Sequence, residues 1–163
     1  MAEQKLWAPW RLEYIRSEKD TGCFLCDAIE ADPAEDREHY LVHRGRLCFV
    51  ILNKYPYNSG HVMVAPHVHE PSIEQLGADQ LAEIWDLTKR SLTALRQVYR
   101  PDGFNLGINQ GAIAGAGVED HVHLHVVPRW DADTNFMPVI ADTRVLPQAL
   151  DASWAELREA FAA

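Results

Sequence analysis

Three histidines at alternate positions, His121, His123 and His125 in the stretch DHVHLHVVPRW, are the residues of this chain best suited to chemistry. Val122, Leu124, Val126 and Val127 stand between and after them, and alternation with a period of two marks a β-strand with one buried face. The other face then carries imidazoles. An imidazole is largely neutral near pH 7 and can act as nucleophile, proton donor or metal ligand. On a strand rising about 3.3 Å per residue the outer pair stands about 13 Å apart. That span suits an extended anion such as a chain of phosphates better than one metal ion held by all three rings. His123 is the natural nucleophile, because it alone has a partner on each side. It can attack phosphorus while the flanking rings bind phosphoryl oxygens or protonate a leaving group. Just upstream, QGAIAGAGVED is a glycine-rich loop whose amides can approach phosphate closely.

A second constellation is CFLC, with Cys23 and Cys26 at the spacing that holds a metal or a redox disulfide. Two thiols make half of a zinc site, and His67, His69 and His121 are candidates for the other half. Cys48, inside RLCFVIL, reads as a small buried apolar residue. An odd cysteine count with no apolar leader near the start argues against a disulfide framework.

These residues need a scaffold, and the pattern of the chain supplies one. HYLVHRG, LCFVILN and HVMVAP read as three strands, with turn chemistry in KYPYNSG between the last two. A long helix follows, with Leu81, Ile84, Trp85, Leu92, Leu95 and Val98 near helical period and Ser72 with Gln75 as its capping box. GFNLGIN and HVHLHVVPRW are two more strands. Leu150, Trp154, Leu157 and Phe161 mark a C-terminal helix. The order predicts an α+β domain on an antiparallel sheet of about five strands, with a main helix and a C-terminal helix. Within one domain, residues 1–22 form an N-terminal arm, 23–147 the core and 148–163 the last helix.

A formal charge of −9 with no Lys/Arg cluster excludes a non-specific nucleic-acid binder. No apolar run approaches the ~20 residues of a membrane span. A cytoplasmic protein without membrane or nucleic-acid partners is expected.

HVHLHVV resembles the signature of the histidine triad family of nucleotide hydrolases and transferases. NKYPYNSGHVMVAP is similar to the family's entry into its third strand. LWAPWRLEYI, CFLC, VVPRWDADTNFMPVI and TRVLPQ resemble the bacterial branch that includes diadenosine tetraphosphate phosphorylases. The resemblance implies that His123 takes up a nucleoside monophosphate, that His121 and His125 contact phosphate, that Asn53 binds the ribose hydroxyls and that Asn109 touches phosphate. It implies a structural zinc on Cys23, Cys26, His69 and His121, leaving His123 and His125 for chemistry. It further implies a homodimer, leaves open whether dimers pair into tetramers, and places Trp130 near the nucleotide. Trp7 and Trp10 are assigned to packing or dimer contact, and Asp102, Asp131 and Asp133 to solvated loops. One departure stands out: the loop before the triad has Ala116 and Gly117 where relatives carry Gln with Ser or Thr. Backbone donors at Gly115 and Gly117 are the expected substitutes. The function implied is cleavage of dinucleoside polyphosphates through a nucleotidyl-histidine, with phosphate favoured over water as acceptor. Three alternatives stand beside it: a hydrolase of nucleoside phosphoramidates or other nucleotide conjugates, a metalloenzyme, and a non-enzymatic nucleotide-binding protein.

Overall fold

The computed structural model describes residues 22–131, 133 and 148–162. Trp7, Trp10 and nearly all of the N-terminal arm lie outside them, as do the stretches TNFMPVI and TRVLP. The chain opens with helix α1 (Phe24–Glu30), followed by strands β1 (Leu41–Arg44), β2 (Cys48–Leu52) and β3 (Val62–Pro66). Helix α2 (Ala78–Tyr99), strands β4 (Gly103–Ile108) and β5 (Leu124–Arg129) and helix α3 (Leu150–Ala162) complete it. The five strands form one antiparallel sheet in the order β1-β2-β3-β5-β4. The expected α+β architecture is therefore present.

β2 and β3 are apolar at every position because both faces of the sheet are covered there. Cys48, Val50, Leu52, Val62 and Val64 join Leu87, Leu95 and Leu157 in a core beneath α2 and α3. Phe49, Ile51, Met63 and Ala65 pack with Leu25 and Ala28 of α1 on the opposite face. The strand period of two thus sorts one continuous apolar run into two cores.

Helix α2 starts later than its sequence suggests. Ser72 caps a separate 3-10 turn, Ile73–Gln75, by accepting from the Glu74 amide. The helix itself begins after Gly77, whose amide donates to Gln80 Oε1 at 2.7 Å. The Ser72–Gln75 capping box is thereby corrected: Gln80 fills that role, and a 3-10 turn intervenes.

Helix α1 is held by Arg44. Its guanidinium donates to the carbonyls of Ala28, Ile29 and Ala31, which are the open acceptors at the helix end. Arg44 Nε also donates to Asp36 at 2.8 Å, and Arg158 of α3 donates to the other Asp36 oxygen at 3.0 Å. Asp36 is 3% exposed, so this pair of contacts neutralises a carboxylate that burial alone would disfavour. No helix among the described residues is long and apolar enough to cross a membrane.

Candidate active site

Register puts the histidines on the face of the sheet away from α2. Leu124 and Val126 point into the α2 core. His123 and His125 therefore project to the other side, where Met63 pairs with His125 across β3. The regular strand begins only at Leu124. His121 and His123 precede it, and both are buried, at 0% and 4% exposure. Helix α1 packs over this side of the sheet, with Leu25 and Ala28 in one core with Met63 and Ala65 of β3, and its cysteines reach His121.

Each ring has a distinct environment. His121 donates Nε2–H to the Pro66 carbonyl at 2.9 Å. Its Nδ1 then carries the lone pair, and it faces Cys23 Sγ at 3.3 Å and Cys26 Sγ at 3.5 Å. His69 Nδ1 stands 3.2 Å from Cys26 Sγ. One ligand atom from each of Cys23, Cys26, His69 and His121 lies within 4.8 Å of the others. Two thiols and two imidazoles at that separation fit the donor set of a closed tetrahedral zinc site. The hydrogen bond from His121 to Pro66 is the outer contact that aims a metal-binding imidazole. Burial first, and the neighbouring Cys23 next, push the Cys26 thiol up to about 11. A divalent cation in the cluster reverses that logic by stabilising the thiolates. Both ring nitrogens of His121 have partners here.

His123 donates Nδ1–H to the backbone carbonyl of His121 at 2.8 Å. Its Nε2 is left as the unprotonated nitrogen, the form a nucleophile needs. Burial lowers the pKa of His123 below the ordinary histidine value, which keeps the ring neutral at pH 7.

His125 is governed by a residue that the sequence reading did not single out. The Tyr57 amide donates to His61 Nδ1 at 3.1 Å. His61 Nε2 must then carry the ring proton, and it meets His125 Nδ1 at 3.0 Å. His125 accepts there, so its own proton sits on Nε2. His61 is fully buried, and the Tyr57 ring stacks on it at 4.9 Å between centroids. Burial and the nearby His123 bring the His125 pKa down to about 4. The rings of His123 and His125 meet edge to face at 4.7 Å. A neutral ring with a lone pair on Nε2 thus stands beside a neutral ring with a proton on Nε2.

The remaining candidates are placed as follows. Asn53 ends β2 beside His61: Oδ1 accepts from the Tyr55 amide at 2.9 Å and Nδ2 lies 3.4 Å from His61 Nδ1. Asn109 is half-buried just beyond β4. Next to it, Gln110 accepts from the Ile73 amide at 2.8 Å, which pins the start of the glycine-rich loop. Gly115 takes a positive φ of 82° and donates its amide to the Ala112 carbonyl at 3.0 Å. The donor expected from Gly115 is therefore engaged in its own 3-10 turn. Trp130 is half-buried at the end of β5, with its amide 3.3 Å from Asp133. Asp133 is not the solvated loop residue expected. Its side chain is 11% exposed and accepts from Arg129 and from Asn58 Nδ2 at 2.9 Å. Arg129 holds the Asp133 carboxyl well below the usual carboxylate range.

Known proteins resemble this chain over most of its length. Residues 35–132 match the family model described as the HIT domain. The AP-4-A phosphorylase of Mycobacterium tuberculosis is 38% identical over 153 residues, covering 90% of this chain and 78% of that protein. Among solved structures, a hypothetical histidine triad nucleotide-binding protein from Sulfolobus tokodaii superposes with a TM-score of 0.67 at 26% identity. That match covers 86% of this chain and 92% of the other. A zinc-bound histidine triad family protein from Mycobacterium smegmatis gives 0.66 at 25% identity, over 86% and 94% of the two chains. With its family model spanning the sheet and all three triad histidines, this chain belongs to the HIT domain family.

Proposed function

We propose that this protein cleaves dinucleoside polyphosphates of the diadenosine tetraphosphate type by nucleotidyl transfer through His123. The observation that carries the reading is the tautomer pair: Nδ1–H of His123 is tied to the His121 carbonyl, and Nε2–H of His125 lies alongside. His123 Nε2 attacks the α-phosphorus, an N–P bond forms and the P–O bond to the leaving polyphosphate breaks. His125 Nε2–H hydrogen-bonds the oxygen that gains charge, and His61 on its far nitrogen holds that proton in place. Phosphate or water then attacks the phosphorus, the N–P bond breaks, and the free imidazole is restored. Inorganic phosphate is the acceptor we favour, in line with the name of the mycobacterial relative.

The Cys23, Cys26, His69 and His121 cluster is assigned to structural zinc, as the donor set and the zinc-bound relative support. With four protein ligands it leaves no open position for substrate. We also infer a homodimer joined along one edge of the sheet. β4 is that edge, and its Leu106 is 44% exposed. Arg96 of α2 lies 4.9 Å over the Phe104 ring, which sets one side of α2 beside β4. Trp85, 58% exposed, falls on the same side.

The test is product analysis on diadenosine tetraphosphate with and without inorganic phosphate. ADP and ATP formed only with phosphate are expected. AMP and ATP formed regardless of phosphate would make the protein a hydrolase. His123→Ala should lower turnover by about a thousandfold or more, and full activity in that variant would remove the mechanism.

A further inference from the structure

The carbonyl that fixes the nucleophile's tautomer belongs to a residue outside the sheet ladder. Strand pairing with β3 and β4 reaches back only to Leu124. The peptide that joins His121 to Val122 therefore has no strand neighbour to hold it. Two other anchors act there: the Val122 amide donates to the Glu70 carbonyl at 2.7 Å, and the His121 ring is held between Pro66 and the thiols. One residue thus joins the two sites, with its side chain in the metal cluster and its carbonyl on His123 Nδ1.

We propose that Cys23, Cys26 and His69 are positioning residues for catalysis: by gripping the His121 ring they fix the carbonyl that keeps His123 in its Nδ1–H tautomer. The inference rests on the function proposed above and assigns the metal cluster a role in it. When bound, zinc supplies a rigid four-point junction between α1, the segment after β3 and His121. The chain supplies the rest. Arg44 clamps the end of α1, α1 presents the thiols, and the thiols hold His121. If that grip is released, the carbonyl drifts, the ring proton of His123 redistributes between its nitrogens, and the fraction with a free Nε2 falls. Substrate contacts made elsewhere are untouched, so kcat should fall while KM stays nearly constant.

The experiment uses the full chain with zinc as the probe. Metal content, the ¹⁵N spectrum of the His123 ring (identified by its loss in His123→Ala), and kcat and KM on diadenosine tetraphosphate are measured before chelation, after it, and after zinc is returned. Chelation should move the ring signals from a single Nδ1–H tautomer toward a mixture. It should lower kcat about tenfold or more, and zinc should restore both. Should the chelated protein unfold, His69→Gln provides the second arm: this exposed ligand can be lost with three donors remaining, and a partial shift of the same signals is expected. An unchanged tautomer and kcat after zinc release, or in folded His69→Gln, overturns the proposal. Failure to take up zinc at all also overturns it. Loss of the nucleotidyl-transfer reading itself is told apart by the His123→Ala arm, which needs no metal measurement.

Discussion

At the scale of single residues, the site depends on where three protons sit. His61 decides one of them, since a backbone amide on its Nδ1 leaves only Nε2 to donate to His125. His61→Ala should lower kcat about a hundredfold, the range of positioned acid–base groups, with a smaller change in KM; steady-state kinetics on diadenosine tetraphosphate checks this. His125 also makes stability depend on pH. Its folded-state pKa is about 4 against an ordinary 6.5, so between those values the unfolded chain binds more protons. The contribution to stability is complete above pH 6.5 and is lost as pH falls toward 4, by at most about 3 kcal/mol. Urea denaturation across that window should show stability falling with acid in the wild type, and a shallower fall in His125→Asn. An equal slope in both would remove this assignment. Burial also sets the structural cost of His123→Ala: with the ring 4% exposed, the change leaves a cavity and should cost about 1–3 kcal/mol.

At the scale of elements, α1 carries the thiols of the metal cluster, and seven residues cannot hold a helix by propensity alone. Arg44 holds it through three carbonyls and ties it through Asp36 to α3. Arg44→Met keeps the stem but removes five donors, leaving Asp36 buried with Arg158 as its remaining cation. A loss of about 3 kcal/mol is expected in chemical denaturation. Zinc affinity should weaken with it, because the thiols ride on α1. The hairpin between β1 and β2 has a comparable staple in Glu83 of α2, which accepts from the Leu47 and Cys48 amides at 2.9 and 3.2 Å.

At the scale of the whole molecule, the sheet has two different edges. β1 is covered by α3, with Trp154 Nε1 donating to the Leu41 carbonyl at 2.8 Å. β4 is the other edge strand, and among the described residues its Leu106 and Trp85 of α2 are exposed large apolar side chains, the kind of surface on which the proposed second copy would pair. Sedimentation of the wild type should give a dimer, and Leu106→Lys with Trp85→Glu should give a monomer of unchanged secondary structure. A wild-type monomer would exclude the shared edge.

How much could be read in advance follows from the range of each interaction. Strand alternation, helical period and turn residues are local, and they predicted the sheet and both later helices. The CFLC pair and the family resemblance named in advance the four side chains that the fold brings together as a metal donor set, Cys23, Cys26, His69 and His121. Boundaries shifted where a local signal had two users, as Ser72 did in capping a 3-10 turn ahead of α2. Long-range pairing was beyond local reading. Asp133 was taken for a loop residue because its partner Asn58 comes from far along the chain, although its other partner, Arg129, stands only four residues before it. His61 was visible only as the Gly-His that enters β3, and its role appears once β3 and β5 lie side by side. The sequence by itself determined which residue types were present for phosphoryl chemistry and for metal binding. Tertiary structure decided which ring nitrogen carries the proton in His121 and His125, because the Pro66 carbonyl and the His61 ring reach them from far along the chain, whereas His123 takes its bond from the His121 carbonyl two residues before it.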